Sequence, residues 1–230
     1  MGNPSREGVR LIVFAKLPVP GQVKTRLGES LGAAKAAALY KAWLPPFIEK
    51  LLELGDRVSI EVCVAPAGEG FVPGNETIEE SKRWLSYPVG FTLQEGADLG
   101  DRLTRAFDRS FEAGWKKVFV LGSDSPHLTS KEIETNLELL DAYDVVLGPT
   151  EDGGYYAVGL SGPPGDLFDR IRWSSPNTLA DTERAARRMG LSVGKGPISY
   201  DLDTLEDLTR LIRSEPERWS FLQEILGIPT

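Results

Sequence analysis

Histidine and cysteine are nearly missing from this chain of 230 residues, which carries one of each, His127 and Cys63. A zinc centre built on histidines is excluded by that count, as are a cysteine cluster and an internal disulfide. Cys63 lies in the strand-like run VSIEVCVAP and reads as a reduced core residue. No apolar run is long enough to span a bilayer. The stretch LIVFA near the start is also too short for a signal peptide, so the cytoplasm is the expected compartment. Basic residues are the minority charge, 26 against 34 acidic, giving a formal net charge of −8. That balance points to no general affinity for nucleic acid or anionic membranes. Two nucleotide-binding signatures are missing as well, since neither GxxxxGK[ST] nor GxGxxG occurs. Residues 190–194, GLSVG, do match the GxSxG of a nucleophile elbow. Here, however, a helical pattern precedes the serine and a strand pattern follows, the reverse of what an elbow needs. Gly190 is better read as the glycine that ends a helix.

What is present is ordinary soluble-protein material, with 41% hydrophobic and 26% charged residues, at a length that suits one substantial core. A single domain over 1–230 is expected, with its core at about 9–213. Apolar runs bounded by turn residues predict strands at 9–15, 58–65, 89–94, 117–122, 144–149 and 155–160, with 192–199 the weakest. Helical spacing predicts helices at 31–54, 76–85, 99–113, 130–141, 177–189, 205–213 and 216–226, the first kinked or split by Pro45-Pro46. Residues 66–75 read as a loop. The alternation of strand and helix predicts an α/β fold, a mostly parallel sheet covered by helices on both faces. In such sheets ligands collect at the carboxyl ends of the strands.

The polar segments of chemical interest all follow a predicted strand. The first is KLPVPGQVKTRLG. Between Glu7 and Glu29 there is no acidic residue, yet Arg10, Lys16, Lys24 and Arg26 fall there, a local reversal of sign in an acidic chain. Two prolines and Gly21 fix an irregular path, and Lys24, Thr25 and Arg26 stand at its exit. Such a loop can offer cations and backbone N–H groups to a phosphate chain. Arg26 suits bidentate contact, and Lys16 and Lys24 suit point-charge neutralisation. A merely solvated loop is the plain alternative. The second segment is LGSDSPHL, in which Asp124 ends a central strand. A carboxylate there suits Mg²⁺ or Mn²⁺, and Thr129 or Ser130 with Glu132 can cap the next helix without it. Asp203, in SYDLDTLEDL, is the best second metal ligand, and Asp201 is a weaker substitute. An N-cap or turn role is the alternative for Asp203, as a capping or turn role is for Asp124.

The third segment is GPTEDGGYYAVGL. Gly153-Gly154 can bring backbone close to a ligand, and Asp152 can accept from a hydroxyl or bind a cation. A bulge or turn is the plain alternative. Tyr155 and Tyr156 should point to opposite sheet faces, so only one can line a pocket. Trp173 either packs on a ligand ring or closes the core. Asp152, Gly153, Gly154, Tyr155 and Trp173 together are the candidate acceptor pocket. Gly100 and Asp101, which open a helix after the third strand, are placed for nucleotide contacts, and His127 reads as a loop residue beside the pocket.

Taken together, FAKLPVPGQVKTRL, LGSDSPHL, GPTEDGGYYAVGL, RWSSPNT and DLDTLEDL resemble a bacterial family of glycosyltransferase-like, radical-SAM/selenodomain-associated transferases within the nucleotide-diphospho-sugar transferase superfamily. The resemblance implies a Rossmann-like, glycosyltransferase A-type fold with mixed strand order. It also implies that Lys16, Lys24 and Arg26 form the basic loop, Asp124 the metal-site aspartate and Gly153-Gly154 the glycine pair. Asp203 falls where sugar nucleotidyltransferases often supply a second metal ligand. A D-x-D pair is absent from SDSP. More distantly, the chain is similar to 2-phospholactate guanylyltransferases and molybdenum-cofactor nucleotidyltransferases. The expected activity is Mg²⁺- or Mn²⁺-dependent nucleotidyl transfer from an NTP to a phosphorylated small acceptor, because fixed cations suit a leaving pyrophosphate. Glycosyl transfer from an NDP-sugar is the alternative, and a non-catalytic nucleotide-binding module is a further one.

Overall fold

The computed structural model describes residues 6–65 and 75–227, so the loop expected at 66–75 lies outside the described residues except for Asn75. Its strands are β1 (Arg6–Lys16), β2 (Val58–Ala65), β3 (Gly90–Leu93), β4 (Trp115–Gly122), β5 (Val145–Pro149), β6 (Tyr155–Leu160) and β7 (Val193–Lys195). They form one sheet in the order β3-β2-β1-β4-β6-β5-β7. The pairs β3–β2, β2–β1, β1–β4 and β5–β7 are parallel, and β6 alone runs against both its neighbours. This is the mixed, mostly parallel α/β sheet that the alternating pattern predicts. The reversal of β6 has a functional consequence, because its first residue, Tyr155, pairs with Pro149 at the end of β5. The loop before β6 therefore joins the loops after β1 and β4 on one edge.

The helices are α1 (Thr25–Leu31), α2 (Ala33–Leu52), α3 (Asn75–Trp84), α4 (Leu99–Glu112), α5 (Ser130–Leu139), α6 (Thr178–Arg188), α7 (Leu205–Ser214) and α8 (Pro216–Leu226). Apolar residues of β1 alternate between two cores. Leu11, Val13 and Ala15 pack with Tyr40, Trp43 and Phe47 of α2, while Ile12 packs with Leu103 and Phe107 of α4. The strand is buried on both faces, which is why it reads as a continuous apolar run.

Two readings of the sequence need correction. Pro45-Pro46 does not split the second helix, and α2 runs unbroken through both prolines. Pro45 has no N–H to give to the Lys41 carbonyl one turn earlier. The Trp84 indole N–H donates to that carbonyl instead, at 3.1 Å. The long helix also begins later than position 31. A separate helix, α1, starts at Thr25, and Gly32, at φ 86°, divides it from α2.

Candidate active site

The loop after β1 is fastened at both ends. Leu17, Val23 and Leu27 are buried, and the turn between them closes through Gln22 N–H to Val19 O at 3.0 Å, with Gly21 exposed at φ 81°. Lys24 follows as the residue that caps α1, in the left-handed conformation at φ 49°, ψ 47°. For a residue with a Cβ this conformation costs about 1–2 kcal/mol. The strain aims the side chain inward, where it is only 3% exposed. Its Nζ lies 2.7 Å from Asp124 Oδ1 and 2.9 Å from Asp203 Oδ1, and 5.6 Å from the centre of the Trp43 ring. Burial alone would lower the pKa of this ammonium, but the two carboxylates outweigh it and the net shift is upward. Arg26, 73% exposed, places Nη1 3.6 Å from Asp203 Oδ2. Lys16 and Thr25 are exposed, and the Lys16 backbone N–H donates to Tyr40 Oη at 3.0 Å.

Asp124 sits in the turn that ends β4, and the backbone around it is held from two sides. Leu202 N–H donates to the Asp124 carbonyl at 2.8 Å, and Ser125 Oγ donates to the Tyr200 carbonyl or Asp201 Oδ1, at 3.0 and 2.8 Å. These bonds clamp segment 199–203 to the β4 loop and bring Asp203 beside Asp124. From below, Tyr40 Oη and Ser123 Oγ share a hydrogen bond of 3.0 Å, and Trp43 Nε1–H donates to the Ser123 carbonyl at 3.3 Å. Lys50, buried in α2, donates to the Pro126 carbonyl at 2.9 Å and to that of Leu128. Capping roles are filled by other residues. Thr129 and Glu132 form the capping box of α5, and Thr204 and Asp207 that of α7, which leaves the Asp124 and Asp203 carboxylates facing the cations. Asp201 turns inward beside Asp124, and burial pushes its pKa up to about 6, with the Asp124 charge adding to the effect.

The other candidates fall into two groups. Asp152 Oδ1 accepts from Thr150 Oγ1 at 2.6 Å and from Gly154 N–H at 3.0 Å, so its carboxylate shapes the turn into β6. Burial would raise its pKa, but these two bonds, helped by the charge of Arg26, hold it below the usual range. Gly153 lies at φ 87°, and a Cβ there would come 2.3 Å from the Pro176 carbonyl oxygen. The Asp152 turn and the 173–177 turn are therefore packed together, near Arg26. Tyr155 and Tyr156 do face opposite ways. Tyr156 joins the core under α2, while Tyr155 meets Trp173 edge-on at 6.3 Å in the other core. Trp173 closes that core against Phe168 and Gly100, where a Cβ would meet its Nε1 at 3.1 Å. Asp101 Oδ2 accepts from Ala97 N–H at 3.2 Å at the start of α4. His127 stacks on Tyr200 at 3.8 Å, with Nε2 2.8 Å from Ser199 Oγ.

Lys24, Arg26, Asp124 and Asp203 thus form one cluster, and Asp152 with Gly153-Gly154 flanks it. Gly100, Asp101, Tyr155 and Trp173 take part in capping and packing at the start of α4 and in the second core. Tyr40, Trp43 and Lys50 support the cluster although they read as helix core. Only Lys50, a charge on the apolar face marked by Phe47, Ile48 and Leu51, carried a visible signal. As a donor set, two partly exposed carboxylates suit a hard divalent cation that keeps waters and phosphate oxygens in its shell. Among the described residues no group of three or more His, Cys, Asp or Glu side chains is arranged to hold a metal ion.

A family profile described as an uncharacterized protein conserved in bacteria, DUF2064, matches residues 51–175, more than half of the chain. The chain belongs to that family. The matched DUF2064 span contains Asp124 and the 150–154 turn, while the basic loop and Asp203 lie outside it. A solved structure from Desulfovibrio desulfuricans G20, provisionally described as a nucleotide-diphospho-sugar transferase, is 34% identical. That match covers 96% of this chain and 95% of the other, with a TM-score of 0.81. The 2-phospho-L-lactate guanylyltransferase of Methanocaldococcus jannaschii is 25% identical over 203 residues, 87% of this chain and 82% of that one. A Mycobacterium tuberculosis H37Rv protein solved in complex with manganese shares the fold at 13% identity, with a TM-score of 0.56 over 91% of this chain and all of that one (100%). The superfamily likeness expected from the motifs is thus found. A radical-SAM association is no part of these matches.

Proposed function

We propose that this DUF2064 protein is a nucleotidyltransferase, passing the nucleoside monophosphate of an NTP to a phosphorylated small acceptor and releasing pyrophosphate. The observation that carries this reading is the buried Lys24 ammonium bonded to both Asp124 and Asp203, with Arg26 beside it at the carboxyl edge of the sheet. The guanylyltransferase relative supports it, since its similarity extends over 87% of this chain. In this mechanism Arg26 and Lys16 take the β- and γ-phosphates, and Lys24 neutralises charge near the bond that breaks. An oxygen of the acceptor phosphate attacks the α-phosphorus, a new P–O bond forms, and the bond to the β-phosphate oxygen breaks with its electron pair leaving on pyrophosphate. Asp124 and Asp203 would hold Mg²⁺ or Mn²⁺, which supplies charge neutralisation across the phosphates. The acceptor binds against the packed 150–154 and 173–177 turns, on the side that faces Arg26. Glycosyl transfer from an NDP-sugar is the second reading, favoured by the description of the Desulfovibrio relative. A thermal-shift screen of NTPs and NDP-sugars with Mg²⁺ tests the donor class, because a ligand of the folded state raises its melting temperature. Stabilisation by an NTP is expected, and stabilisation by NDP-sugars alone would displace the reading.

A further inference from the structure

The position of Lys24 carries a consequence for the order of binding. A divalent ion bridging Asp124 and Asp203 needs their oxygens at about 2.1 Å. Lys24 Nζ already stands 2.7 and 2.9 Å from one oxygen of each carboxylate. Ammonium and metal therefore compete for one place, and a divalent ion entering beside the ammonium would meet a like charge. We propose that Lys24 is a placeholder: its ammonium holds Asp124 and Asp203 together until a triphosphate draws it away, so that metal and nucleotide bind as a pair. The inference rests on the metal reading of the two aspartates given above.

Three observations say how the exchange works. Val23 and Leu27 are buried on either side of Lys24, so the backbone stays and only the four-carbon stem turns. Arg26, exposed and at a looser 3.6 Å from Asp203, is free to engage a phosphate first. Trp43 stays fixed under the site through its bond to the Ser123 carbonyl, so the carboxylate from the β4 turn keeps its place when the ammonium leaves. Phosphate then replaces carboxylate as the partner of Lys24, and the vacated oxygens accept the metal. By linkage, each ligand strengthens the other.

The test is a titration of nucleotide-free protein with Mn²⁺, read from the loss of the free-ion EPR signal. Wild type should bind weakly. Lys24→Met should bind about tenfold or more tightly, because the competing cation is gone, and adding Asp203→Asn should remove the gain. If Lys24→Met binds Mn²⁺ no better than wild type, the placeholder is wrong, while binding by wild type that is lost in Asp124→Asn would leave the metal reading standing. If neither protein binds Mn²⁺ at millimolar concentration, both fall. Should Lys24→Met not fold, the ¹⁵N signal of the wild-type Lys24 ammonium decides. Mg²⁺ with inorganic triphosphate should shift it, and an unmoved signal overturns the exchange.

Discussion

Asp124 is not required to cap the helix that follows it, because Thr129 and Glu132 do so. Its carboxylate meets Lys24 at 2.7 Å and is 47% exposed. Asp124→Asn should therefore fold normally and lose turnover by about a hundredfold or more, the scale seen when one preorganised charge contact is removed. Turnover near the parent rate, in a preparation free of parent enzyme, would take Asp124 out of the mechanism. Arg26 is mostly exposed and makes one loose ion pair, so its removal should leave stability nearly unchanged. Arg26→Ala should weaken nucleotide binding by about 1.5–3 kcal/mol, the range for hydrogen bonds to charged groups. Calorimetry should find a much smaller loss for the corresponding nucleoside, and equal losses would mean general damage to the pocket. His127 offers a pH test. Burial pushes its pKa down to about 4, aided by Lys50 and Arg210 and opposed by Glu132. A depressed histidine favours the folded state when neutral, so this stabilisation is present above the unfolded value near 6.5. It is lost as pH falls toward 4, by about 3 kcal/mol in all. As the sole histidine it gives one imidazole NMR titration, expected near pH 4. A midpoint between 6 and 7 would contradict the burial.

At the scale of elements, the two turns that flank the cluster depend on glycine. Gly153 combines φ 87° with a carbonyl oxygen 2.3 Å from where a Cβ would stand. Gly153→Ala should destabilise by at least about 1–2 kcal/mol. The melting temperature should fall by roughly 2–8 °C. An unchanged melting temperature would mean that the 173–177 turn moves aside freely. The strands were legible because β1, β4 and β5 sit inside the sheet, and their buried residues form unbroken runs such as Leu11-Ile12-Val13 and Val118-Phe119-Val120-Leu121. α1 was hidden because it has neither a side-chain cap nor an acidic first turn, and its cap is a lysine in a conformation that sequence rules reserve for glycine. Pro45-Pro46 misled because the compensating donor, Trp84, lies 43 residues from Lys41 along the chain. Likewise the basic loop and Asp124 could be picked out from charge and strand ends. That Lys24 would reach both Asp124 and Asp203 could not, since the clamp between segment 199–203 and the β4 loop is a tertiary contact. Period-two alternation likewise assigns the faces of Tyr155 and Tyr156, but not the edge-on contact of Tyr155 with Trp173.

For the whole molecule, the loops after β1 and β4, the 150–154 turn between β5 and the antiparallel β6, and the clamped 199–203 segment lie on one edge. Cations and carboxylates from four distant parts of the chain meet there in an otherwise acidic protein. In the proposed function this edge takes the polyphosphate donor and the 150–154 side takes the acceptor. The resemblance to glycosyltransferase A-type and nucleotidyltransferase proteins fixes the fold alone, and one sheet of this kind supports either chemistry. The distinction rests on charge, because a triphosphate brings a further phosphate to Lys16, Lys24 and Arg26. The most direct measurement is product analysis of the protein with Mg²⁺, a panel of phosphorylated small acceptors, and either the four NTPs or the common NDP-sugars. Acceptor-dependent release of pyrophosphate from an NTP, slowed in Asp203→Asn, is the result predicted. Release of NDP from an NDP-sugar, with no pyrophosphate from any NTP, would contradict it.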